Sequence, residues 1–479
     1  MRKRFEVQYE FGMKLIEEIQ LPLRSRDELA SVLRALQHIY STPSLHESVF
    51  SILESSIGTS ATGRRGLSYW EILVLGVVRL TLAANYDRLE HIANYDKLVR
   101  EFLGVSTFSG AGKRYPLQTI KDNVGLLPAE TLERINEVIV KAGHQFRKKD
   151  EGLNIKVDTY TVESTVHFPT DLNLLWDASR KCIDLMVSLF SESDSSGWRK
   201  YKDWKRRLKR SFRVASRYSA GGGKNREGRL LQYTKEYLHL ATALSEKIKS
   251  TKEARMVTVS GKKAASKLEQ LNYFENQLDK HIDLVTRRIL YRETIPHDEK
   301  IFSLFEPYTK WITKGKAGHT IELGLPIVVC TDQYGFILHH RVLEKECDVE
   351  ITVPVAEKLL DLGAIKSISY DKGFWSRENY VRLVSKITHL IMPKKGKLNT
   401  EEYAREHSKE FKALRNNHSA IESDINSLEH HGLNRCPDKG LHHFKQYAAL
   451  GVLSFNLHRL GNILIENDRK KVKQNLKAA

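Results

Sequence analysis

Three acids stand out by their surroundings. The alternating run 365-IKSISY-370 stops on Asp371, followed at once by Lys372 and Gly373. In 153-LNIKVDTYTVEST-165, Asp158 follows Ile155 and Val157 and is expected at the far end of a strand. Aspartate is a poor strand residue and needs solvent or a partner. The third acid, Glu422, lies in 415-RNNHSAIESDINSLEHHG-432. There Arg415, His418, Glu422, Ile425 and Glu429 fall three, four, three and four apart and share one helix face. Glu422 sits between Ile421 and Ile425 and is expected on the packed side. Singly, each acid has a plainer reading, as a turn cap or a solvated helix residue. Together they suit a hard divalent cation such as magnesium, which prefers carboxylate oxygens and keeps several waters. Two such ions roughly 3.5–4 Å apart activate a water or hydroxyl and stabilise the leaving oxygen in phosphodiester chemistry. Asp424 and Glu429 are the alternative third acids. Asp424 is expected to face away from Glu422, and Glu429 lies about 10 Å further along the axis. Glu163, Asp171 and Asp177 read as caps or surface acids.

These acids need elements to carry them. Residues 26–58 predict two amphipathic helices, with Ser25 and Ser44 as caps. Ser68 caps an apolar helix from Tyr69 to about Asn85, and helical pattern continues through 87–103 and, broken by Pro128, to about Lys149. Strand pattern covers 153–165, and helical pattern returns from about 172 to 290, including a long heptad-like helix at 261–291. The segment 320–343 predicts a hairpin turning at Asp332–Gly335. A helix at 353–362, the Asp371 strand, a helix at 376–386, the strand 388–394 and one long polar helix over 401–431 follow. An apolar helix at 444–464 precedes a charged tail. Without the helical block, the second half is a layer of strands and helices interrupted by an insertion, and chemistry in open α/β sheets gathers at strand ends.

The chain has 479 residues, room for several structural units. It is basic, with 77 Lys and Arg against 59 Asp and Glu, which points to a polyanionic partner. Four scattered cysteines with no C-x-x-C spacing argue against a disulfide scaffold or zinc ribbon and suit a reducing cytoplasm. The N-terminus has no apolar stretch of a secretory signal, and 69-YWEILVLGVVRLTLAA-84 carries Glu71 and Arg79 and is too short to span a bilayer.

The charge is concentrated. Residues 199–229 hold 13 Lys and Arg against Asp203 and Glu227. Arg199, Lys200, Lys205, Arg206, Arg207, Lys209, Arg210 and Arg213 are candidate phosphate contacts, whose binding would be salt-dependent. Trp198, Tyr201, Trp204, Phe212 and Tyr218 interleave with them and either stack on an unpaired base, Trp204 foremost, or pack inward. Gly221–Gly223 suggest a break inside the insertion.

The motifs V-D-T at 157–159, Y-D-K-G-F at 370–374 and the run from Arg415 to Glu429 resemble the three acidic motifs of DDE transposases of bacterial insertion sequences. The segments 301-IFSLFEPYTKWITKGKAG-318 and 417–440 resemble a subgroup of insertion sequences not assigned to a major family (ISNCY-type). The helical stretch 68–103 resembles the N-terminal helical domain of such enzymes. Together these likenesses span nearly the whole chain. The resemblance implies an RNase H-like catalytic core, a mixed α/β sheet with flanking helices, with a large helical insertion between its first and second strands. Its implied segments are a helical 1–62, a DNA-binding and dimerisation region 63–150, core parts at 151–171 and 293–435, a basic insertion at 172–292 and a C-terminal helix and tail at 436–479. It implies Asp158, Asp371 and Glu422 as catalytic metal ligands for two Mg2+ ions, with Mn2+ as substitute, and Lys372, Arg415 and His418 as DNA contacts. Relatives often carry Tyr, Arg, Glu and Lys where this chain has Arg415, His418, Glu422 and Glu429. The implied activity is cleavage at element ends followed by transfer of 3′-hydroxyl ends into target DNA. The implied partners are double-stranded DNA, as terminal repeats and target, and a second subunit in the complex, in the cytoplasm and on the nucleoid.

Two other classes of function use the same residues: a non-catalytic DNA-binding relative and a metal-dependent nuclease that does not join strands. The His-x-x-Arg tetrad 144-HQFR-147 lacks a downstream nucleophile, and His430, His431, Cys436, His442 and His443 match no common zinc spacing. The Ser hydrolase motif G-x-S-x-G is absent.

Overall fold

The computed structural model describes residues 2–5, 13–58, 66–106, 112–147, 152–190, 197–223, 225–255, 261–313 and 320–478. Most of the link at 58–66, part of the loop at 104–116, residues 314–318 of the transposase-like segment and Lys224 of the basic block lie outside them. The chain forms two compact units, one of residues 1–165 with 312–479 and one of 166–311, against the 172–292 expected for the insertion.

The first unit combines helices with a seven-stranded mixed sheet. Its strands are β1 (Leu153–Ser164), β2 (Lys310–Thr313), β3 (Ile321–Thr331), β4 (Ile337–Val342), β5 (Ile365–Tyr370), β6 (His389–Ile391) and β7 (Arg435–Cys436). Central β1 runs antiparallel to β3 from Lys156 to Glu163 and parallel to β5 from Leu153 to Val157. β5 is parallel to β6, and β4 is antiparallel to β3. The predicted hairpin turn is present. Asp332 Oδ1 accepts from Tyr334 N (2.8 Å) and Phe336 N (2.9 Å), and Gly335 takes the positive φ such a turn requires.

Asp158 does not end its strand. β1 continues to Ser164 because Thr159–Glu163 stay paired with β3, and Tyr160 and Val162, on the face opposite that of Ile155 and Val157, are buried as well. What ends at Asp158 is the pairing with β5. On that same edge β7 joins only at Glu163 and Ser164, so the edge is open between Asp158 and Val162.

The helices are α1 (Glu28–Ser41), α2 (Pro43–Ser56), α3 (Tyr69–Thr81), α4 (Tyr86–Tyr95), α5 (Lys97–Phe102), α6 (Leu117–Val124), α7 (Ala129–His144), α12 (Asp348–Leu362), α13 (Arg377–Val384), α14 (Thr400–His407), α15 (Lys409–His418), α16 (Ala420–Leu428) and α17 (Leu441–Ala478). Asp27 and Thr42, not Ser25 and Ser44, precede α1 and α2. Pro43 takes the first helical position, where its missing N–H costs nothing. Ser68 and Glu71 form the capping box of α3, which is buried along its whole length. α17 packs on α1, α3 and α7. By length and composition an apolar helix here is long enough to cross a membrane, but its most apolar stretch is 83% buried, as in a core helix. Asn456 of α17 covers the β4 edge: its side chain accepts from Ile337 N (2.9 Å) and donates to Ile337 O (2.8 Å).

The polar segment 401–431 is not one helix. Ser408 is extended and caps α15. At Ser419, bonds from Ser419 N to Asn416 O (3.3 Å) and from Glu422 N to Ser419 O (3.1 Å) tighten the turn to i→i−3 spacing. A tighter turn advances the helix phase.

The second unit packs α8 (Asp171–Phe190), α9 (Tyr201–Ala220), α10 (Arg226–Arg255) and α11 (Lys262–Val285) around one apolar core, α8 meeting α9 and α11, and α10 meeting the same two. Leu175, Ile183, Leu208, Tyr237, Leu244 and Leu278 are fully buried there. Gly221–Gly223 separate α9 from α10.

Candidate active site

Val157 of β1 lies opposite Tyr370 of β5, so Asp158 and Asp371 follow the last paired position of two parallel neighbours. Both side chains leave the sheet on the same side. Asp158 is largely buried, and its Oδ1 accepts from Thr159 N at 2.7 Å. Burial pushes its carboxyl up to about 6 despite that bond, and the negative charges of Asp371, Asp348 and Glu422 add to the rise, in that order. Asp371 is exposed, as are Lys372 and Gly373.

Asp348 is an acid that the sequence pattern does not single out. It is the first residue of α12, whose Cys347 N–H donates to Glu350 Oε2 at 2.8 Å. Burial raises its pKa, a bond from the Thr159 hydroxyl lowers it, and Asp371 raises it further. Gly373 gives Asp348 room: a Cβ there would stand 3.0 Å from Asp348 Oδ2. The helix begins at 348 rather than 353 because the capping box starts it there and α12 accommodates Pro354 in its interior.

Glu422 is exposed, while Ile421 is fully buried, contrary to the packed position expected. The tightened turn at Ser419 is the physical reason, since it rotates α16 relative to an ideal continuation of α15. The same rotation brings Asp424, expected to face away, to Lys156 of β1 at 3.3 Å. His418 is half-buried; burial lowers its pKa, against Asp371 and the backbone of Ser369, which raise it. Arg415 is exposed. The structure thus brings Asp158, Asp371 and Asp348 into one electrostatic cluster with Glu422 at its margin. Among the described residues no three His, Cys, Asp or Glu side chains stand close enough to form a ligand group.

On α9, Arg206, Arg207, Lys209, Arg210 and Arg213 are exposed, as are Arg199 and Lys200 before it. Lys205 is bound to Asp184, and Arg206 pairs with Asp203 at 2.5 Å. The aromatics turn inward. Trp198 is buried, Phe212 stacks on Trp176 (6.2 Å, 8°), Tyr218 stacks on Tyr233 (5.3 Å, 9°), and Trp204 packs partly on the core beneath Arg207.

His144 of the His-x-x-Arg tetrad bonds Asp332 Oδ2 at 2.6 Å and so holds the hairpin turn. His431 faces His458 at 3.3 Å, and His443 faces Gln446 at 3.1 Å. No family model, curated protein or solved structure matches the chain.

Proposed function

We propose that this chain is a DDE transposase with an RNase H-like core, which cleaves the ends of a DNA element and transfers the freed 3′-hydroxyls into target DNA. One observation carries the reading: Asp158 and Asp371 lie side by side on parallel strands at the point where their pairing stops, on an open sheet edge. A mixed sheet interrupted after its first strand by a basic helical unit supports it as well.

The donor set fits a hard divalent cation. It is all carboxylate, and Asp158 is pushed up by burial first and then by the like charges of Asp371, Asp348 and Glu422, a penalty that a cation would offset. Magnesium needs only one or two carboxylates beside waters and substrate phosphates, which the pair Asp158 and Asp371 supplies. Glu422 would complete the set from α16, and Asp348 would orient Asp371 by repulsion. When bound, the ions supply an activated water or hydroxyl and stabilise the leaving oxygen. Lys372 would meet a phosphate next to Asp371, and Arg415 and His418 would line the approach of the strand. No residue forms a covalent intermediate; alignment and charge stabilisation lower the barrier. A homodimer would hold both ends.

The test is incubation with Mg2+ and duplexes spanning the DNA that flanks the coding sequence, with products resolved by length. Cleavage plus joining is the expected result. Cleavage without joining would replace this reading by a nuclease, and binding alone by a non-catalytic relative.

A further inference from the structure

The four-helix unit contains a concave site separate from the carboxylate cluster. An open cavity of about 540 Å³ lies where the chain enters α8 and leaves α11. That size lies within the range of small-ligand pockets. Four rings line it, those of Phe168, Phe302, Trp311 and His297, the last 5.5 Å from Phe302. Phe168 stands edge-on to Trp311 (5.3 Å, 63°), and Phe302 lies 5.6 Å from Trp311. Phe168 is 55% exposed, an unusual position for a phenylalanine. Cations stand at the same wall: Lys300, and Arg288, which bonds Asp171 Oδ2 at 2.7 Å.

The approach to this cavity is charged. Arg206, Arg210, Arg213 and Arg217 recur at four, three and four residues along α9, on one stripe about 16 Å long. All four are exposed, and Ser219, two residues beyond the last, lines the cavity. A basic track leading to aromatic faces is how proteins hold a single nucleic-acid strand: phosphates follow the charge and bases stack. Blunt duplex offers no unstacked base to such rings.

We propose that this cavity takes one unpaired nucleobase with its phosphate, the base stacking on Phe168 and Trp311 and the phosphate meeting Lys300. The Asp171–Arg288 pair offers an acceptor and donors to the base edge. Every lining residue belongs to the unit of residues 166–311, which ends at Trp311 within β2, so the site does not depend on the carboxylates acting in catalysis.

The test uses the full chain and a 12-mer single strand with one 2-aminopurine, a blunt duplex of the same sequence, and free dAMP. Quenching of 2-aminopurine is expected with the single strand and not with the duplex. Phe168→Ala, at an exposed position, is expected to weaken single-strand binding about 5- to 100-fold and leave duplex binding unchanged. Free dAMP that displaces the strand at micromolar concentration, with the same loss in Phe168→Ala, would support the pocket and assign it to free nucleotide. Equal single-strand affinity in Phe168→Ala and Trp311→Leu, or quenching that both retain, would overturn it. Asp158→Asn is expected to keep the quenching whether or not the chain cleaves DNA, which separates this outcome from the catalytic reading.

Discussion

Asp158 and Asp371 occupy the first positions past the last paired register, Val157 with Tyr370, of two parallel strands. Neighbouring carboxylates placed there repel, and burial holds the cost on Asp158, whose pKa is pushed up to about 6.

That relationship makes a signed prediction about pH. In the unfolded chain Asp158 titrates near 3.8, so between about 3.8 and 6 the folded state binds more protons than the unfolded one. The stability Asp158 contributes when protonated is therefore lost as pH rises through 6. In chelator, Asp158→Asn is expected to be more stable than wild type at pH 7.5 by roughly 2–3 kcal/mol, with the gap closing by pH 4. Thermal unfolding at the two pH values measures it, and a gap independent of pH would count against the burial and repulsion described.

The close approach of α1 and α17 gives a second prediction. A Cβ on Gly461 would stand 1.8 Å from Ser31 O, a backbone atom that cannot turn aside. Gly461→Ala is expected to cost about 3 kcal/mol or more, seen as a lowered Tm. Gly228→Ala in α10, with open space around it, is expected to leave Tm unchanged or raise it slightly.

Arg79 is buried beneath Tyr86, 3.8 Å from its ring centre, and makes two bonds to Asp438, at 2.7 and 2.6 Å. Asp438→Asn leaves a buried guanidinium without its counter-charge and is expected to cost on the order of 2–3 kcal/mol in chemical denaturation. Asp438→Glu, which keeps the charge, is expected to recover part of that loss.

The α9 stripe predicts salt dependence. Replacing Arg206, Arg210, Arg213 and Arg217 together by Gln is expected to flatten the slope of log K against log salt by roughly 0.9 for each phosphate these arginines neutralise. An unchanged slope would remove this helix from the DNA path.

Parts of this arrangement are legible in the sequence and parts are not, for identifiable reasons. Asp371 is legible because alternation stops on it. Asp158 is legible as an acid in a strand, but its place at an open edge depends on where β5 and β7 leave off, which pairing alone decides. Asp348 is hidden by Val349, Ile351, Thr352 and Val353, a β-branched run with Pro354 behind it, which reads poorly as a helix start. Glu422 is mis-phased because periodicity carried through 401–431 takes no account of the extended Ser408 or the tightened turn at Ser419. The aromatics of α9 are ambiguous until Trp176 and Tyr233 are seen beneath Phe212 and Tyr218.

The most direct measurement is the binding of Mn2+, standing in for Mg2+, followed by electron paramagnetic resonance at pH 7.5 with duplex DNA present. Two bound ions are expected for wild type, none held at Asp158→Asn or Asp371→Asn, and weakened binding at Glu422→Gln with DNA affinity kept. Equal Mn2+ binding by wild type and all three variants would contradict the assignment of these carboxylates as the metal site.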